Sequence, residues 1–133
     1  MKQQKNPIEE AQRYVANAKA ILAEQKIEGN YYTDPKSIRM AGNTLWNGVL
    51  IALEAVFEVQ KDKKKGVRPD FNDYKNKASK IDRKFATLLH NAYDTIHKSL
   101  GYDGNLNVTI VKSGFAEAKE IIDWCKTKYK SKN

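Results

Sequence analysis

Residues 38–60 read IRMAGNTLWNGVLIALEAVFEVQ, and the fold turns on how that stretch is covered. At about 100° per residue, Ile38, Ala41, Leu45, Val49, Ala52, Val56 and Val59 form one apolar stripe. Trp46, Leu50, Leu53 and Phe57 form a second stripe roughly 100° around the axis. Asn43, Asn47, Ile51, Glu54 and Glu58 are left for the remaining face. A helix apolar over most of its circumference needs neighbours on several sides. Two Glu, one Arg and two Asn make it a poor membrane span. The stretch therefore reads as the central helix of a small bundle. Gly42 and Gly48 inside it each weaken the helix by about 1 kcal/mol relative to alanine. Their expected use is to let a neighbouring helix approach closely.

Outward from that helix, the flanking segments supply the cover. Asn6-Pro7 is a cap followed by a proline suited to the first helical turn, and Glu9 and Glu10 sit where the helix dipole favours them. A helix is predicted over 7–28, with Ile8, Ala11, Val15, Ala18 and Leu22 inward. EGNYYT reads as a loop and no strand pattern is visible. Asp34-Pro35 repeats the cap and proline, so the central helix is predicted over 35–61. KDKKKGVRPD is a loop by composition. Asp70 caps a third helix, predicted over 70–99, whose seam runs Phe71, Tyr74, Ala78, Ile81, Phe85, Leu88, Ala92 and Ile96. Ser79 to Asp82 would allow a break, but the unbroken seam favours one long helix. GYDGNLN is turn chemistry, and Asn105 or Asn107 caps a last helix over 107–129 with Val108, Val111, Phe115, Ala118, Ile121, Ile122 and Cys125 inward. The expected fold is all-α, an antiparallel up-down four-helix bundle in a single domain over 1–133.

Composition narrows the classes. The chain has 133 residues, 41% hydrophobic and 30% charged, enough for one domain with a real core. MKQQKNPIEE turns polar and acidic where a signal peptide would turn apolar, and no stretch reads as a transmembrane helix. The lone Cys125 excludes an intramolecular disulfide and a Cys-based zinc site, and the expected compartment is the cytoplasm, with no membrane partner. A net charge of +8 favours acidic partners, nucleic acid first. An up-down bundle would gather the lysine-rich segments at one end, which makes Lys63, Lys64, Lys65 and Arg68 the candidate nucleic-acid contacts. Lysines at helix C-termini also simply offset the dipole. The opposite end holds Tyr31, Tyr32 and Tyr102, a candidate small-ligand groove.

Arg83, His90 and His97 recur every seven residues and so share one helical stripe, opposite the seam and open to solvent unless a second subunit covers it. Arginine could hold a phosphate and histidine could move protons near neutral pH. The plainer reading is a solvated polar face. His90 and His97 stand about 10 Å apart by helix rise, too far for one metal. No Glu-x-x-His motif is present, so neither metal nor cofactor is expected. Arg39, Asn47 and Glu54 are placed to form a polar network between helices.

The order NPIEEAQRYVANAKAIL, DPKSIRMAGNTLWNGVLIALEAV, LLHNAYDTIHKSLGYDG and GFAEAKEIIDWC resembles small bacterial helical-bundle proteins of undefined role, similar to the HEPN superfamily. That resemblance implies a homodimer with a cleft between subunits. In HEPN ribonucleases an Arg followed by a His a few residues on cleaves RNA without metal, and Arg83 and His90, six residues between them, match that spacing. Lys84 departs from the polar uncharged or acidic residue usual after the Arg. The leading expectation is a homodimeric helical module that binds protein or nucleic acid. The alternative is a metal-independent endoribonuclease using Arg83 as phosphate holder and His90 as general acid and base.

Overall fold

Asparagine and aspartate start the helices where the sequence places them. In the computed structural model, which describes residues 6–57 and 70–132, Asn6 accepts from the Ile8 N–H (2.8 Å) and opens α1 (Pro7–Ala23). Asp34 accepts from the Lys36 N–H (3.0 Å) and the Ser37 hydroxyl (3.2 Å) and opens α2 (Pro35–Val56). α1 stops short of the predicted 28 because the next backbone groups are claimed elsewhere. Ile27–Glu28 (β1) and Tyr31–Tyr32 (β2) form a two-stranded antiparallel hairpin. Gly29 takes φ +63° at its turn, a conformation glycine adopts without steric cost. The hairpin is fastened to a stretch distant in sequence: the Tyr32 N–H donates to the Leu106 carbonyl (2.8 Å) and the Val108 N–H to the Asn30 carbonyl (3.0 Å). The expectation of no strand is corrected on this point.

The predicted helix over 70–99 is two helices. α3 (Phe71–Ile81) ends and α4 begins at Asp82, whose backbone is extended (φ −155°, ψ 105°). Its N–H closes α3 on the Ala78 carbonyl (2.8 Å), and its carboxylate opens α4 by accepting from the Phe85 N–H (3.1 Å). Ile81, placed in the seam by spacing, is 62% exposed, and beyond the corner Leu89 rather than Leu88 is buried. α3 folds back along α4. The Phe71 and Tyr93 rings stack with centroids 4.9 Å apart, whereas one continuous helix would separate those residues by about 33 Å. The Phe85 N–H holds the Asp82 carboxyl below the usual range. A depressed folded-state pKa stabilises above the unfolded value and stops stabilising as pH falls through the folded one. Asp82→Ala is therefore expected to lower the urea midpoint at pH 7, with variant and parent converging in acid.

α4 is α-helical over Arg83–Ala92 and π-helical over Tyr93–Tyr102. The wider spacing persists past its end, where the Asp103 N–H reaches back to the Lys98 carbonyl (2.9 Å). Carbonyls at the end of this segment are met from α2. Asn43 Nδ2 donates to the Gly101 oxygen (3.3 Å), Arg39 Nε to the Tyr102 oxygen (3.1 Å) and Arg39 Nη2 to the Asp103 oxygen (3.4 Å). The interhelical bonds thus come from Arg39 and Asn43 rather than from the expected set of Arg39, Asn47 and Glu54, and Asn47 bonds back to the Asn43 carbonyl of its own helix (2.9 Å). Asn107 then caps α5 (Val108–Lys132) by accepting from the Ile110 N–H (3.1 Å).

α2 is the hub, packed against α1, α4 and α5. Leu45, Val49, Ala52 and Leu53 are fully buried, and Trp46 is 6% exposed. At one end Phe57 meets Phe85 and Trp124, with ring centroids at 6.3 and 5.9 Å. At the other, Gly42 lies against Leu100 and Gly101. α2 and α4 are thus antiparallel. The four-helix architecture is corrected: the described residues form a bundle of five helices, and the fifth exists because an aspartate cap outweighed an apolar seam.

Candidate functional site

The Asp82 corner brings α3 across the face of α4, and a pocket of about 460 Å³ opens between them and α2. Trp46 and Leu50 line it from α2, Asp70 to Asn72 and Lys75 from the start of α3, and His90, Tyr93, Asp94, His97 and Lys98 from α4. Its wall is aromatic. Trp46 lies 5.2 Å from Phe71, 5.8 Å from Tyr93 and 5.5 Å from His97 between ring centroids, and Tyr93 lies 5.1 Å from His97. His97 is half-buried, and its Nδ1 is buried with no hydrogen-bond partner among the described residues. His90 is exposed, with Nε2 3.5 Å from Asp94 Oδ2. Asp73 reaches back to the Asp70 N–H (3.2 Å), so the start of α3 is capped from within. Lys75 and Lys98 make no ion pair among the described residues. A second hollow of about 260 Å³, lined by Asn76, Ser79, Ala86 and Thr87, continues the cleft and shares Lys75 and His90 with the pocket.

The two histidines of the stripe are brought into one pocket; Arg83 is not among its described lining residues. Arg83 is the first residue of α4, two turns from His90. His97 leaves the solvent face because the helix widens to π at Tyr93, which turns it away from the angle an α-helix would give. Sequence reasoning missed Lys75, Lys98 and the pocket role of Trp46, Phe71 and Tyr93, read as core or not singled out. The signal that would have found them is Asp82 as a helix cap, which folds α3 onto α4. Lys63, Lys64, Lys65 and Arg68 lie outside the described residues. Tyr31 and Tyr102 are exposed, at 56% and 75%, and Tyr32 instead lines a groove with Leu22 and Phe115.

Other titratable groups lie apart from the pocket. Cys125 is fully buried and burial pushes its thiol up to about 12, which leaves it without the thiolate a nucleophile needs. Burial also raises the Glu117 carboxyl, and neighbouring Glu120 adds to the shift. Glu117 Oε1 is buried without a hydrogen-bond partner among the described residues, and the Thr95 hydroxyl beside the carboxyl, which also donates to the Asn91 carbonyl (2.9 Å), offsets part of the rise. A raised carboxyl pKa means the folded chain holds the proton more tightly than the unfolded one. The penalty is absent at low pH and complete above the folded value. Glu117→Gln is expected to raise Tm at pH 7, with the gain vanishing as the melts are repeated at falling pH. Among the described residues no three His, Cys, Asp or Glu side chains cluster as a metal site, and no helix is long and apolar enough to cross a membrane.

Fold and pocket together define a small helical-bundle domain with an aromatic, histidine-bearing cleft. The chain belongs to the family described as a domain of unknown function, DUF5618, whose profile matches residues 6–127. It is similar to a protein of unknown function from Dyadobacter fermentans, 35% identical over 92% of this chain and 95% of that one, with a TM-score of 0.84. No curated protein matches. The HEPN-like assignment is corrected: the matching family and relative are described only as of unknown function, with no specific link to HEPN, and among the described residues five helices stand where four were expected. Neither description names a second subunit or a nucleic acid, so the homodimer and nucleic-acid readings gain nothing from them.

Proposed function

We propose that this chain is a non-enzymatic binding module whose ligand is a flat ring carrying a phosphate or carboxylate, held in the α2–α3–α4 pocket. The observation that carries this reading is the meeting of Trp46, Phe71, Tyr93 and His97 in one open pocket with Lys75 and Lys98. Aromatic walls favour a ring by stacking at centroid separations of about 4.5–7 Å. The two lysines supply charge for an anionic tail, and the His90–Asp94 pair offers a donor and an acceptor to the edge of the ring. The pocket volume falls within the range of small-molecule sites, roughly 300–1,000 Å³. The RNA-cleavage reading would need Arg83 and His90 to converge on one phosphate, and Arg83 stands at the far end of the first helical turns, so binding is the better account.

Trp46 in the wall makes the test direct. Adenosine monophosphate and indole-3-acetate, titrated against the full chain, are expected to change tryptophan emission saturably, while inorganic phosphate alone is not. Lys75→Ala/Lys98→Ala is expected to weaken binding by roughly tenfold or more, the size of one lost charge-assisted contact. Absence of saturable binding of either ring compound, or affinities equal in parent and variant, would reject the proposal.

A further inference from the structure

A groove between α1 and α5, apart from the pocket above, has no part in that reading. It consists of two hollows of about 430 and 320 Å³ that share Lys19 and Phe115. Its floor is apolar: Val15 and Leu22 from α1, Phe115 and Ile122 from α5. Its rim is basic. Lys19 stands on one side, and Lys112 and Lys119, seven residues apart on one face of α5, stand on the other. Lys119 pairs with Asp123 (2.7 Å), and both are largely exposed. Lys19 and Lys112 make no ion pair among the described residues. From Lys112 to Asp123 the α5 edge measures about 16 Å, three helical turns.

We infer that this groove docks an acidic amphipathic helix of a partner protein. Three turns of such a helix would lay apolar residues at i, i+3, i+4 and i+7 on Val15, Leu22, Phe115 and Ile122, the helix-in-groove mode of recognition. Its Glu and Asp flanks would face Lys19 and Lys112. The charge selects this occupant over a second copy of the chain. A two-fold interface would bring together two copies of a rim that carries Lys19, Lys112 and Lys119 against one carboxylate, Asp123, in a chain of net charge +8.

The probe is a labelled three-turn peptide with Leu at the four apolar positions and Glu elsewhere, followed by anisotropy against the full chain. A sister peptide carries Lys for Glu. The Glu peptide is expected to bind and the Lys peptide to bind weakly. Lys19→Glu/Lys112→Glu, checked for unchanged helicity, is expected to lose affinity for the Glu peptide by roughly tenfold and to gain affinity for the Lys peptide. That reversal separates lost complementarity from lost folding. The inference is overturned if the Glu peptide fails to bind, or if the charge-reversed chain binds both peptides as the parent does. It is equally overturned if sedimentation shows a dimer that the reversal abolishes, or if phosphatidylglycerol vesicles bind the groove while the peptide does not.

Discussion

Phe85→Ala is expected to destabilise the domain by about 3–5 kcal/mol, the usual cost of emptying a buried aromatic site. Phe85 is 3% exposed and packs against two rings that also touch each other, 3.7 Å from Trp124 and 6.3 Å from Phe57 between centroids. With Phe57 and Trp124 it forms the three-ring cluster where α4, α2 and α5 meet at one end of the bundle. Removing the ring takes away its transfer free energy and the stacking on Trp124, and flat neighbours collapse poorly into the void. Urea unfolding would give the loss in stability. Trp124 emission in the folded state would shift to the red as its face becomes wet. A loss below about 1 kcal/mol would mean that the three rings do not form one packed unit.

Gly42→Ala is expected to cost about 1–3 kcal/mol, although alanine is the better helix former. A Cβ at this position would stand 2.6 Å from the Gly101 nitrogen and 2.8 Å from the Leu100 carbonyl carbon, both backbone atoms that cannot swing aside. Helix propensity returns at most about 1 kcal/mol, so the clash decides the sign. The same step loosens Arg39 and Asn43 from the carbonyls at the end of the π segment. Gly48→Ala is the control. There the nearest atoms are Tyr14 Cβ at 3.0 Å and the Ala11 oxygen at 3.1 Å, so a shift of a few tenths of an ångström suffices and the net change should be small. Equal denaturation midpoints for the Gly42 variant and the parent would remove the close-approach account.

Much of the fold was legible because it rests on local chemistry. Asn6, Asp34 and Asn107 act as the helix caps their sequence positions suggest. Leu45, Val49 and Ala52 are buried as their spacing requires. The hairpin was hidden because Ile27–Glu28 and Tyr31–Tyr32 are two residues each, too short for alternation to register, and are held by the distant Leu106. The split at Asp82 was hidden for the opposite reason. Phe71 to Ile96 obeys a helical spacing across the corner, since two helices facing one core can share a period by coincidence. His90 and His97 were singled out by their spacing; what surrounds them was not visible.

By itself the sequence determined that the chain is helical, that residues 38–57 must be wrapped, and where most helices begin. Caps, prolines and apolar period act within one or two turns and leave a local trace. Tertiary structure alone decided that α3 doubles back on α4, that α4 widens past Ala92, and therefore that Trp46, Phe71, Tyr93 and His97 share a wall with Lys75 and Lys98. Those outcomes depend on one extended residue and on contacts between segments tens of residues apart, whose energies no local pattern records.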